Sequence, residues 1–118
     1  MMITLKERCE TEPYNFALAN FIDDFRKTHN PDLAKDSILD LPMLSDIEKA
    51  LLAASVDQLF NEAMLERPDW IYDESTFLKK PYFALNAKGG LRVILLQESP
   101  RWFRARNLFV SENCLERV

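Results

Sequence analysis

The sequence predicts a mainly α fold, a compact single helical domain with a short irregular or extended segment near its C-terminal end. Three observations support this prediction: two stretches with helical spacing of apolar residues, a complete helix-start signal before the second, and only two glycines in 118 residues. So few glycines argue against a β-sandwich with many tight turns and against a glycine-rich phosphate loop. The length suits one domain. We expect residues 1–12 to form a polar N-terminal arm and residues 13–118 the helical core with a basic C-terminal segment.

The first helical pattern begins directly after Pro13. Apolar residues recur on one helix face at Tyr14, Leu18, Phe21, Ile22 and Phe25. Proline is well tolerated in a first helical turn, because its missing N–H has no partner there. Asn30 precedes Pro31 and is therefore disfavoured in the α region. We expect a helix over residues 14–28 that ends before Pro31.

The second helix has the clearest local signal in the chain. Ser45 and Glu48 are spaced as a capping box, in which each side chain satisfies the other residue's free N–H. The predicted helix runs from there to about residue 66. Its apolar stripe consists of Leu52, Val56, Leu59, Phe60 and Ala63, widened by Leu51 and Met64. Such a wide stripe predicts a central helix with contacts on more than one side.

The remaining segments have weaker patterns. We expect a connector with anchoring apolar side chains over residues 30–44, and short helical turns over the aromatic-rich residues 67–85 that lay rings over the helices. Residues 91–98 suit a helix face or a buried strand, and we favour the helix. Residues 106–110 predict a short strand or a docked extended segment, and residues 111–118 a short terminal helix.

Charge is distributed unevenly along the chain. Residues 1–78 carry 7 basic and 16 acidic side chains, a net charge of −9, whereas residues 79–118 carry 8 basic and 3 acidic side chains, a net charge of +5. This asymmetry suggests an acidic face and a basic face. The two parts could attract each other within the fold or bind a partner, and opposite charges would also allow two copies to pair as a homodimer.

Compartment and metal content follow from the same sequence. The first residues are charged where a signal peptide would be apolar, and the longest apolar run, residues 93–96, is too short to span a bilayer. We therefore expect a cytoplasmic protein with Cys9 and Cys114 as free thiols. One histidine and two separated cysteines do not supply the ligand spacing of a zinc site. No metal or cofactor is predicted.

No catalytic constellation is recognisable. His29 is expected at a helix C-terminus, where a cation interacts favourably with the helix dipole. The many carboxylates are predicted to lie on solvated faces, and the cysteines to be inert, although Cys114 has Arg117 three residues later. An enzyme would require the fold to gather His29, a cysteine and a carboxylate in one cleft, so we predict no catalytic residue.

The most specific feature is the segment of residues 101–107, where arginines surround two large rings. Arg101, Trp102, Arg104 and Arg106 are the candidate partner-binding residues. Arginine binds carboxylates and phosphates with two parallel hydrogen bonds, and arginine with aromatic rings is the usual composition of an interface hot spot. The same groups suit the stacking of unpaired bases. Alternatively, Trp102 and Phe103 lie in the core and the arginines pair with the acidic first part.

Four motifs in order carry a resemblance to a known family. They are Pro-x-Trp at residues 68–70, Phe-Leu-x-x-Pro-Tyr-Phe-Ala at 77–84, Glu-Ser-Pro at 98–100 and Phe-Arg-x-Arg-Asn-x-Phe-Val at 103–110. Together with the helix from Tyr14 they resemble a largely uncharacterised family of small bacterial proteins. Similar C-terminal segments occur behind helix-turn-helix modules in antitoxin-like regulators, whose partner genes often encode nucleotidyltransferase-like toxins. No separate helix-turn-helix is present here, so the resemblance does not imply DNA binding.

These observations predict a non-catalytic bacterial accessory protein, a protein-interaction module of antitoxin-like type. Its basic segment would bind a partner protein, and the resemblance implies a nucleotidyltransferase-like toxin. The acidic first part would mask a basic channel of that toxin by charge complementarity. The alternative is a module that binds single-stranded RNA or a phosphate ligand, which the sequence pI of about 5.0 makes less favoured but does not exclude.

Overall fold

The computed structural model describes residues 3–83 and 99–110, and these ranges confirm the mainly α fold class. The α-helices are α1 (Leu5–Thr11), α2 (Tyr14–Thr28), α3 (Asp46–Glu62) and α4 (Arg101–Arg104). Three 3-10 turns occupy Pro31–Ala34, Asp69–Tyr72 and Glu74–Thr76. Two short strands, β1 (Tyr82–Phe83) and β2 (Leu108–Phe109), form a parallel pair. None of the described helices is long and apolar enough to cross a membrane.

The N-terminal segment is a helix, so the prediction of an arm over residues 1–12 is wrong. Thr4 and Glu7 form a capping box: the Thr4 hydroxyl accepts from the Glu7 N–H at 3.2 Å, and the Glu7 carboxylate accepts from the Thr4 N–H at 3.5 Å. Leu5 and Cys9, one helical turn apart, are both buried. Two apolar contacts are too few for a visible period, but they dock the helix on the core.

A charged cluster attaches α1 to α2. The guanidinium of Arg8 forms ion pairs with Glu12, at 2.9 Å, and with Asp24 on α2. The Asn20 amide donates to the other Glu12 oxygen at 2.7 Å. Because these groups are partly buried, their hydrogen bonds offset the loss of hydration and fix the angle between the two helices.

Helix α2 has the predicted bounds, Tyr14–Thr28, and buries Phe21, Ile22 and Phe25 as expected. Pro13 directly precedes the first helical residue. The helix ends because His29 adopts a left-handed conformation with φ of 50°, while its N–H still bonds to the carbonyl of Phe25 at 2.7 Å. The ring of Phe25 then stacks on Phe60 of α3, with centroids 4.9 Å apart.

Helix α3 is the central helix that its wide stripe predicts. The capping box is present: the Ser45 hydroxyl accepts from the Glu48 N–H at 3.1 Å, and Glu48 accepts from the Ser45 N–H at 2.9 Å. Helix α3 contacts α2, α4 and the 3-10 turns of residues 69–76. Its buried residues therefore occur on several sides: Ala50, Leu52, Ala53, Ala54, Ser55, Val56, Asp57, Leu59 and Phe60.

Helix α3 ends at Glu62, one turn before the predicted boundary at residue 66. Met64 adopts a left-handed conformation with φ of 58°. The Met64 N–H bonds to the Asn61 carbonyl at 3.1 Å, and the Leu65 N–H bonds to the Phe60 carbonyl at 2.9 Å, which together form a Schellman cap. The turn points Met64 into solvent, with 92% of the residue exposed, so it does not widen the apolar stripe as predicted.

The connector and the aromatic segment join each other across the core. As predicted, residues 30–44 anchor the connector by apolar side chains, including Leu33 and Ile38. The Trp70 indole N–H donates to the carbonyl of Ala34 at 2.8 Å. The short helical turns are confirmed, but of their aromatic rings only that of Trp70 is buried, whereas Tyr72 is 57% exposed.

The extended segment predicted near residues 106–110 is confirmed as β2. Tyr82 pairs with Leu108 and Phe83 with Phe109, and the rings of Phe83 and Phe109 stack with centroids 4.9 Å apart. The Ser99 hydroxyl bonds to both the N–H and the carbonyl of Val110, at 2.8 and 2.9 Å. The predictions for residues 91–98 and 111–118 lie outside the described residues.

Replacing Met64 by glycine should raise the free energy of unfolding by about 0.5–1 kcal/mol, because glycine reaches the left-handed region without a Cβ clash. Little packing is lost, since Met64 is almost fully exposed. Urea unfolding measures the change. Met43→Gly is the control, because Met43 is also exposed but lacks a positive φ. An equal gain in both variants would contradict the left-handed cap.

Candidate functional site

Helix α4 is a four-residue turn of helix held at both ends. It begins directly after Pro100 and ends where the chain turns through Asn107, which has φ of 63°. The Asn107 amide donates to the carbonyl of Leu78 at 2.9 Å. Phe103 is buried in the core, so the helix presents Arg101 and Arg104 to solvent.

Arg106 is buried, with 2% of the residue exposed, so its prediction as a partner-binding residue is wrong. Its Nη1 donates to the Asp57 carboxylate at 3.2 Å and to the Trp102 carbonyl at 3.1 Å, and its Nη2 donates to the Ile71 carbonyl at 2.7 Å. The guanidinium also lies 4.7 Å from the Phe77 ring centroid. For this arginine, pairing with the acidic first part of the chain is the correct alternative.

Asp57 of α3 is the residue that sequence reasoning missed. One carboxylate oxygen accepts from Arg106 and the other accepts from the Arg67 Nε at 2.9 Å. Burial lowers the pKa of Arg106, and the neighbouring Asp57 charge acts in the opposite direction. An aspartate within a run of buried helix residues was the available signal, because a buried carboxylate needs a cationic partner.

Trp102 is half-buried at the surface, beneath guanidinium groups. The Arg101 guanidinium lies 4.0 Å from the ring centroid and that of Arg67 lies 5.3 Å away, both within cation–π range. Among the residues that the structure describes, no carboxylate forms an ion pair with Arg101 or Arg104. The structure thus brings Arg101 and Trp102 into contact, adds Arg67, and leaves the charge of Arg104 facing solvent.

His29 and Cys9, which an enzyme would need in one cleft, lie apart. His29 follows α2, with its ring 6.0 Å from that of Phe25, whereas Cys9 lies at a separate cleft of about 430 Å³ lined by Glu12 and Glu48. Burial, followed by the charges of Glu48, Glu12 and Glu10, raises the pKa of the Cys9 thiol to about 11. Within residues 3–83 and 99–110, no three His, Cys, Asp or Glu side chains are placed to hold a metal ion.

Arg106→Ala should lower the free energy of unfolding by about 3 kcal/mol or more, because it leaves buried carbonyls unpaired and removes a cation from Asp57. Arg104→Ala, two residues earlier on the surface, is the matched control and should change it by less than about 0.5 kcal/mol. Urea unfolding of both variants distinguishes the two arginines. Similar losses in both would show that the two side chains share one environment, against the structure.

The buried Cys9 thiol should make stability fall at alkaline pH. The pKa of Cys9 is near 9.0 in the unfolded chain and about 11 in the folded one. The contribution of the protonated thiol to the free energy of unfolding is therefore complete below pH 9 and is lost as the pH rises to 11. The loss should approach about 1.4 kcal/mol per pH unit relative to Cys9→Ala, in which all other groups still titrate. Urea unfolding at several pH values provides both profiles. Parallel profiles would contradict the burial of the thiol.

Comparison of the chain with protein-family models, curated protein sequences and solved structures finds no match in any of the three. The resemblance of its motifs to a family of small bacterial proteins, whose C-terminal segments also occur in antitoxin-like regulators, therefore stays a prediction.

Proposed function

We propose that this protein is a non-catalytic interaction module that binds a partner protein through Arg101, Trp102 and Arg104, here called the α4 surface. One observation carries the proposal. Arg101 and Arg104 are exposed without an ion pair to any described residue, although the chain has more acidic than basic side chains. Two cations that the described fold does not neutralise remain available to a binding partner.

The α4 surface is preorganised for binding. Phe103 packs into the core and Arg106 is tied to Asp57, so the helix backbone cannot shift freely. Arg101 already rests on the Trp102 ring, which reduces the conformational entropy that it would lose on binding. Rigid aromatic residues with arginines around them supply most of the binding energy in many protein interfaces.

The geometry favours a protein partner over nucleic acid. Binding of single-stranded RNA usually depends on open aromatic rings on which bases stack. The Trp102 ring is half-buried and already contacts the Arg101 guanidinium, so a base would have to displace that group. The sequence pI of about 5.0 also disfavours a general affinity for phosphate backbones.

An antitoxin-like role in a bacterial cytoplasm is the specific form of this proposal. The resemblance of the C-terminal motifs supports it and suggests a nucleotidyltransferase-like toxin as partner. The acidic first part of the chain would supply a second surface, since Asp32 and Asp36 are exposed there, whereas Asp40 pairs with Lys6. Such a surface would mask a basic substrate channel by charge complementarity.

Co-purification of the tagged full chain from its host tests the proposal. The Arg101→Ala/Arg104→Ala double variant should lose a specific partner that the wild type recovers. Arg106 stays intact in this experiment because its removal destabilises the fold. The matched control is Lys27→Ala/Lys35→Ala, which changes the net charge equally at two exposed positions outside α4, Lys27 in α2 and Lys35 directly after the turn Pro31–Ala34. The control should retain the partner.

Two results would contradict the proposal. Recovery of the same proteins with both double variants would show that the α4 surface does not bind them. A lowered thermal midpoint in Arg101→Ala/Arg104→Ala would show instead that these arginines stabilise the fold. Because both residues are exposed, we expect the two double variants to unfold within about 0.5 kcal/mol of the wild type.

A further inference from the structure

We infer that the α4 surface recognises an acidic polypeptide segment, one that carries aspartate or glutamate at alternate positions. This inference rests on the proposed function and names the chemistry of the partner. Three observations support it: a local excess of positive charge, the backbone hydrogen bonds that join the two basic segments, and the spacing of two arginines.

Every charged side chain in the C-terminal part of the described chain is basic. Residues 79–83 and 99–110 contain five basic side chains and no acidic one. They are Lys79, Lys80, Arg101, Arg104 and Arg106. Of these five side chains, only Arg106 forms an ion pair with a described residue, Asp57. The surplus charge therefore lies on the exposed side chains of these two segments.

Backbone hydrogen bonds hold these two segments together. The Leu78 N–H donates to the Arg106 carbonyl at 3.2 Å, and the Tyr82 N–H donates to the Asn107 carbonyl at 2.9 Å. The lysines at 79 and 80 lie between these two attachments, beside the turn that follows α4. The loop and the helix thus present their cations as parts of one connected unit.

Lys79 is the least available of the four exposed cations. It lines a cleft of about 570 Å³ together with three acidic residues, Asp46, Asp73 and Glu74. Their charges partly offset its own, although none forms an ion pair with it. The excess positive charge therefore comes mainly from Lys80, Arg101 and Arg104.

The Asp57 carboxylate, which lies beneath this surface, shows how guanidinium groups bind a carboxylate in this part of the fold. Asp57 is bound by two guanidiniums, one at each oxygen, and those same guanidiniums lie over aromatic rings, Arg67 over Trp102 and Arg106 over Phe77. At the surface, the Arg101 guanidinium is likewise stacked on an aromatic ring, that of Trp102. Unlike Arg67 and Arg106, it binds no carboxylate among the described residues. A partner's carboxylate would complete the same arrangement at Arg101.

The spacing of the arginines sets the pattern of the ligand. Arg101 and Arg104 are three residues apart on a helix, which places their Cβ atoms about 5–6 Å apart. In an extended chain, side chains on one face recur every second residue, at about 6.6–6.8 Å. Acidic residues at alternate positions of an extended segment therefore match the spacing of the two arginines along the helix, and the exposed Lys80 adds to the positive charge.

Binding of a labelled ten-residue peptide of alternating glutamate and serine to the full chain tests the inference. Fluorescence anisotropy at low salt should show binding that weakens as sodium chloride is added. Arg101→Ala/Arg104→Ala should bind at least about tenfold more weakly. Lys27→Ala/Lys35→Ala, with the same net charge, should bind like the wild type. A peptide with glutamine in place of glutamate should not bind.

The outcomes separate this inference from the proposed function. No binding of the glutamate peptide to the wild type would overturn the acidic specificity alone, because co-purification still tests the α4 surface. Equal weakening in both double variants would show an effect of net charge and overturn the location. A mixed-sequence single-stranded oligonucleotide that binds more tightly than the peptide and displaces it would show a phosphate ligand instead. Salt-sensitive self-association of the wild type without added peptide would show that the chain's own acidic residues fill the surface.

Discussion

The buried ion pair between Asp57 and Arg106 connects parts of this molecule that are 49 residues apart in sequence. Asp57 belongs to the central helix, whereas Arg106 follows the short helix α4 and also binds the carbonyl of Ile71 in the aromatic turns. One guanidinium therefore joins three segments. A buried charge is tolerated only when its partners are complete, so the position of each segment depends on the other two.

This constraint also decides which residues remain for function. Once Arg106 and Phe103 are directed inward, Arg101 and Arg104 must lie on the opposite side of the short helix, in solvent. Trp102 is left at the boundary, where its ring supports the Arg101 guanidinium. The basic segment is thus divided between a structural anchor and a binding surface. Because the anchor at Arg106 is rigid, the binding surface keeps a fixed geometry.

The helix-start signals illustrate what can be predicted locally. Thr4 with Glu7 and Ser45 with Glu48 form the same capping box, because a hydroxyl and a carboxylate three residues apart satisfy backbone groups within one turn. Only the second was recognised from sequence, since α1 is short and buries just Leu5 and Cys9. A cap identifies a helix start more reliably than a hydrophobic period when few residues face the core.

The sequence by itself determined the helical class, the bounds of α2, the central position of α3 and the extended segment near its C-terminal end. These features depend on periodicity, caps and prolines, which act over a few residues. Only the tertiary structure decided the roles of the arginines. Arg104 and Arg106 are two residues apart in the same basic run, yet one is exposed and the other is buried. The difference comes from the Asp57 carboxylate, 49 residues before Arg106, which forms an ion pair with it in the core. A local sequence pattern cannot predict this pair, because it forms only when the fold brings two distant residues together.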